Sequence, residues 1–206
     1  MAINQNEALG AAEALALLES EQRNVQEKMG GFVPAMTAAW GVAWLLGFGA
    51  LWLVDAVGLP LPVAVTIFIV LLLGAGALST FFGIRSSRGI RSSWASTFTG
   101  TVYGVTWSFG SLALAAIGGG LSFNGLDQDL ANYFYPAVFL FFIGIMYIIA
   151  GGIWQAPFSI VAGGLLVLIA AGTLFVPASV HFLVIALTAG LTFIALAIVH
   201  RARMGR

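Results

Sequence analysis

All eight Lys and Arg residues of the chain fall in three short stretches: Arg23 and Lys28, then Arg85, Arg88 and Arg91, then Arg201, Arg203 and Arg206. The sequence between them is almost wholly apolar. In polytopic membrane proteins Lys and Arg of short loops stay on the cytoplasmic side. The three stretches lie before the first apolar run, after the second and after the last, so an even number of crossings puts every cation on one face. This predicts a multi-pass protein of the bacterial plasma membrane with both termini in the cytoplasm. Composition agrees: at 60% hydrophobic residues, 8% charged and a mean hydropathy of +1.02, the chain lacks the polar surface needed to coat a soluble globule. Its expected solvent is the lipid bilayer.

The acids are segregated too. Glu7, Glu13, Glu19, Glu21 and Glu27 crowd into the N-terminal segment, and Asp55, Asp127 and Asp129 fall in the expected outer loops. A net charge of zero with no basic patch makes nucleic acid an unexpected partner. The absence of cysteine excludes disulfides, thiol catalysis and thiolate metal sites. No basic stretch precedes an apolar one at the start, so no cleaved signal peptide is expected.

A hydrocarbon core of roughly 30 Å needs about 20 apolar residues in a helix. Six segments qualify: Phe32 to Val54, Leu61 to Ile84, Thr97 to Gly118, Tyr133 to Gly152, Pro157 to Val176 and Val180 to His200. The predicted architecture is all-α, with residues 1–31 as a cytoplasmic amphipathic helix and 32–206 as a six-helix membrane domain of three hairpins (32–84, 97–152 and 157–200). Pro34, Pro60, Pro62, Pro136, Pro157 and Pro177 are expected in loops or first turns, where a missing N–H costs little. Small residues at Gly41, Gly47, Gly49, Gly74, Gly76, Gly144, Gly151, Gly152, Gly163, Gly164 and Gly172 are expected on helix contact faces.

Internal repetition supports the hairpins. Trp40-Gly41-Val42-Ala43-Trp44-Leu45-Leu46-Gly47 matches Tyr103-Gly104-Val105-Thr106-Trp107-Ser108-Phe109-Gly110 in register. A fainter echo pairs Gly49 with Gly164, Pro62 with Pro177, and Gly74-Ala75 with Ala189-Gly190.

In the N-terminal segment Leu15, Leu18, Val25 and Met29 recur at three- and four-residue spacing, with Gly30-Gly31 able to end a helix. Five Glu against Arg23 and Lys28 disfavour adsorption to an anionic leaflet. The apolar stripe therefore needs a protein cover: the chain's own cytoplasmic face, a second copy in a homo-oligomer, or a soluble or membrane partner.

Chemistry is sparse within the spans. Ionisable residues there cost about 2.5 to 3.5 kcal/mol at a helix centre and usually mark function, yet no span has one near its middle. His181 and His200 sit at opposite ends of the last span, too far apart to share a metal. For His181 an interfacial structural role leads over pH sensing. Asp127 and Asp129, beside an Asn124-Gly125 turn, lack the oxygen set of a calcium loop and are expected to be solvated. No metal, cofactor or catalytic set is expected, so the chain is read as non-enzymatic.

The distinctive polar content is aromatic and hydroxylic. Trp44 and Trp107 are placed about half-way through the bilayer by a rise of ~1.5 Å per residue, and a buried indole N–H wants an acceptor. Trp40, Trp44, Tyr103, Thr106, Trp107 and Ser111 are the candidates for a narrow uncharged pathway or pocket at the meeting of spans 1 and 3. Hydrogen-bonded helix packing is the structural alternative. Phe134, Phe139, Phe141 and Phe142 in span 4 are expected to face lipid.

The six spans, the hairpins and the aromatic-Gly-Val-x-Trp-x-x-Gly element resemble a group of small actinobacterial integral membrane proteins and, in hairpin organisation, the acid-resistance HdeD type. Size and span count are similar to acetate/succinate permeases and acid-activated urea channels, which have six helices and form oligomers. The permeases' Asn-Pro-Ala signature has no counterpart at Phe32-Val33-Pro34-Ala35, so no functional residue is carried over from them. The leading expectation is an uncoupled permease or channel-like conduit for a small neutral or weakly acidic solute. The competing class is an accessory or sensory subunit that recruits a partner through Leu15, Leu18, Val25 and Met29.

Overall fold

The computed structural model describes residues 10, 16, 33–87 and 94–204, and every element among them is helical. In chain order these are α1 (Val33–Val57), α2 (Leu61–Ser87), α3 (Trp94–Phe123), α4 (Gln128–Ile153), α5 (Pro157–Thr173), α6 (Ala178–Ile185), a π-helical turn (Ala186–Gly190) and α7 (Leu191–Met204). Five continuous helical stretches are long and apolar enough to cross a membrane: α1, Leu61–Arg85 of α2, α3, α4, and Ala178–Ala202 running through the π turn. The fifth expected span falls short of that set. Its helix, α5, has 17 residues and ends at Thr173, because the backbone tightens into successive turns over Leu174, Phe175 and Val176 before Pro177.

The N-terminal amphipathic helix and its docking candidates Leu15, Leu18, Val25 and Met29 lie outside the described residues, as do Arg88 and Arg91.

Packing runs outward from α1. It lies against α2 on one side and against α6, the π turn and α7 on the other, while α4 and α5 form the second close pair. α2 and α3 are flanking helices: α2 packs mainly on α1, and α3 on α4. The core is formed by Trp44, Phe48, Leu140, Leu166, Ala170, Ile185, Ala186, Ala189 and Phe193.

Glycine makes these approaches close. A Cβ on Gly144 would stand 2.7 Å from the Gly163 carbonyl oxygen, and one on Gly163 would meet the Gly144 carbonyl oxygen at 2.5 Å. Gly41 and Gly190 play the same part between α1 and the π turn, where an added methyl would meet Ile194 or Leu45. Close backbone approach is how helices associate in lipid, where no hydrophobic expulsion drives them together. The expected contact faces are only partly used, since Gly49, Gly74, Gly76, Gly152, Gly164 and Gly172 have no atom within 4 Å of an added Cβ.

One proline departs from expectation. Pro136 lies inside α4, because Asp127 starts that helix five residues earlier than the apolar run does: its carboxylate accepts the Leu130 N–H at 2.8 Å. The Asp127 side chain is thus a helix cap as well as a solvated group. The Phe-rich face of α4 also divides. Phe141 is exposed, whereas Phe142 fills the notch at Gly110 and meets Trp107 edge-on.

Candidate functional site

The six pathway candidates separate into two groups, since α1 and α3 share no extended contact. On α1, Trp40 turns toward α2 and its Nε1–H donates to Ser79 Oγ at 2.9 Å; that hydroxyl donates in turn to the Ala75 carbonyl. Trp44 is 5% exposed and packed among Phe48 and Phe193. Its Nε1–H is buried with no acceptor. On α3, the Tyr103 hydroxyl donates to the Met146 carbonyl of α4 at 3.2 Å, and Trp107 packs against Tyr103 and Phe142. Thr106 is exposed and returns its hydroxyl to the Val102 carbonyl, while Ser111 is half-buried. Each group serves its own helix pair, Trp40 toward α2 and Tyr103 and Trp107 toward α4.

What the bundle does contain is a column of rings. Tyr147 meets Phe193 (centroids 5.6 Å), Phe193 meets Trp44 (6.0 Å), Trp44 meets Phe48 (5.1 Å) and Phe48 meets Phe182 (6.0 Å). Phe182 then meets His181 (5.7 Å), which meets Tyr133 (4.2 Å). The seven residues come from α1, α4, α6 and α7. Because α1 runs opposite to α6 and α7, and α4 runs with them, the column climbs from the end of the bundle that carries Arg85 and Arg201 to the end that carries Asp55 and Asp127. Near the basic end the Tyr147 hydroxyl engages Thr37, itself 2% exposed and donating to the Val33 carbonyl. Near the acidic end Tyr133 donates to the Val176 carbonyl at 2.8 Å.

Of the seven, sequence reasoning put forward Trp44 alone as a site residue and gave His181 an interfacial structural role; it did not join Tyr147, Phe193, Phe48, Phe182 or Tyr133 to them. The usable signal was thin: Phe182 and Phe193 stand eleven residues apart, three turns of one helix face.

An open apolar groove of about 510 Å³ lies between α5 and the α6–α7 segment, lined by Phe158, Leu165, Leu187, Leu191 and Val199 among others. Its Leu165, Leu187 and Leu191 are exposed on the outer surface of the bundle. Among the described residues no group of three or more His, Asp or Glu stands close enough to hold a metal.

Comparison of the chain with protein-family models, with curated proteins and with solved structures returns no match.

Proposed function

We propose that the chain is a non-enzymatic, six-span plasma-membrane subunit of the accessory or sensory kind, built as three hairpins. The observation that carries this reading is the ring column. The rings pack one against the next between the basic and acidic ends of the bundle, and the column closes on Thr37 near the start of α1. A packed column suits a part that transmits or anchors better than one that passes solute. The conduit reading keeps one observation in its favour, the Trp44 Nε1–H without an acceptor.

Two features support a relation between the first two hairpins. Gly47 receives Phe68 of α2, and its repeat mate Gly110 receives Phe142 of α4. Trp40 and its mate Tyr103 each donate a hydrogen bond to the returning helix of their own hairpin. The third hairpin counts α5 as a span; at ~1.5 Å per residue its helix reaches about 26 Å, and apolar Leu174 to Val176 supply the rest. The HdeD-like organisation stands or falls with these hairpins.

Topology is tested by single cysteines at Ser87 and Gln128, which should react from opposite sides with an impermeant reagent. Reaction from one side would mean that α3 does not cross and would overturn the six-span topology. Function is tested by flux: purified protein in phosphatidylcholine vesicles should leave permeation of acetate and urea at the level of protein-free vesicles. Flux rising in proportion to protein content would restore the conduit and reject the subunit reading.

A further inference from the structure

We propose that His181 is an acid-operated latch: proton uptake by its ring releases the α5–α6 corner from α4 at the acidic end of the bundle. This deepens the sensory reading by supplying its input, and it rests on that reading only for its consequence.

The ring is 2% exposed. Its Nδ1 lies 3.0 Å from the Thr173 carbonyl oxygen, and a carbonyl can only accept, so Nδ1 carries a proton. In the neutral ring Nε2 is then a bare acceptor, and it is buried without a hydrogen-bond partner. Thr173 is the last residue of α5, so the carbonyl that holds the ring belongs to the negative end of a helix. The backbone of Asn132 in α4 also acts on the ring. Its carbonyl lacks the usual helical donor because Pro136, four residues on, has no N–H. His181 therefore ties α5, α6 and α4 together, and Tyr133 makes a second tie from α4 to the corner through Val176.

The surrounding groups fix the sense of the switch. From α4 the titratable groups are Tyr133 in ring contact, Asp129 one turn before it and Asp127 at the cap, both acids being exposed. From α5 there are none, α1 brings only the exposed Asp55 near its last turn, and α6 has only His181 itself. Phe182 covers the remaining side. A protonated ring in this cage gains a second N–H toward carbonyl oxygens but has no counterion inside it. An enclosed cation whose only partners are two backbone carbonyls, with no carboxylate beside it, is costly, so charge favours a form in which the ring reaches water and the Asp129 side. Acid opens the corner.

Hydrogen exchange of the full-length protein in phosphatidylcholine nanodiscs tests this, read over residues 174–184 at about pH 8 and about pH 5, the range in which imidazole titrates. After normalisation for the chemical exchange rate, acid should accelerate exchange roughly tenfold, a change well within the range of local opening equilibria. His181→Gln, which can still donate to Thr173 but cannot take up a proton, should show no acid increment, and His181→Asn replaces it if the Gln variant does not fold. Tyr133→Phe should raise exchange at both pH values and keep the increment. A flat wild-type response, or an equal increment in the neutral His181 variant, overturns the latch. Solute flux would reject the sensory reading and leave the exchange result standing, so the two failures are distinct.

Discussion

Gly163→Leu is expected to abolish the folded bundle, while Gly164→Leu leaves it nearly unchanged. At Gly163 the first carbon of any side chain meets the Gly144 carbonyl oxygen at 2.5 Å and the Ile148 nitrogen at 2.8 Å. Both obstacles are backbone and cannot rotate aside. Overpacking of a core ordinarily costs about 1–3 kcal/mol, and here it also separates the helix pair that packs most closely. α5 is the helix with most to lose, since its 17 residues depend on α4 for their fixed position. Gly164, one residue on, has no atom within 4 Å of an added Cβ. Thermal unfolding in detergent, followed by size-exclusion of the unheated protein, compares the two directly. Equal melting of both variants would mean that the α4–α5 contact does not hold the bundle.

The second large effect is expected at Trp44. Trp44→Ala should cost about 3–5 kcal/mol, the range for emptying a buried aromatic site, because the ring is enclosed by Phe48, Phe193 and the π turn. Its repeat mate Trp107 is half-exposed on a flanking helix and loses only its contacts with Tyr103 and Phe142, so Trp107→Ala should cost roughly 1 kcal/mol, the scale of one aromatic pair. Steric-trapping measurements in bicelles resolve such a difference. Similar losses for the two variants would show that the repeat is energetically as well as sequentially even, and would contradict a core centred on α1.

Helix content and apolar length were legible in the chain because they depend on composition along one dimension. Five of the six expected spans appear as long apolar helices, and the turn at Asn124-Gly125 is present, with Gly125 at φ +100°. Rotation about each helix axis was much less legible. The matching Trp40–Gly47 and Tyr103–Gly110 segments implied matching surroundings, yet Gly41 is pressed against Ile194 while its mate Gly104 has no neighbour within 4 Å of an added Cβ. Nothing in a local motif says which helix arrives from far along the chain to cover it. Helix starts were misjudged for a similar reason: α4 begins at a polar cap, Asp127, whereas hydropathy marks only where apolar residues begin. His181 illustrates the limit in the other direction. Its type and position near Pro177 pointed to a boundary, and its enclosure depends on Asn132 and Tyr133 of α4 and Thr173 of α5, which two other helices bring to it.

The π turn at Ala186–Gly190 sits where the last long helix meets α1. Its Ala186, Ala189 and Gly190 are buried, and a methyl on Gly190 would meet the Leu45 Cβ at 2.9 Å. His181 and Ile185 are buried ahead of the turn, and Phe193, Leu196 and Ala197 beyond it, so one buried stripe runs the length of the segment. A π turn is wider than an α turn, because its bonds reach one residue further along the chain. Here the wider turn is taken up without interrupting the face that meets α1, and the ring column passes it on both sides.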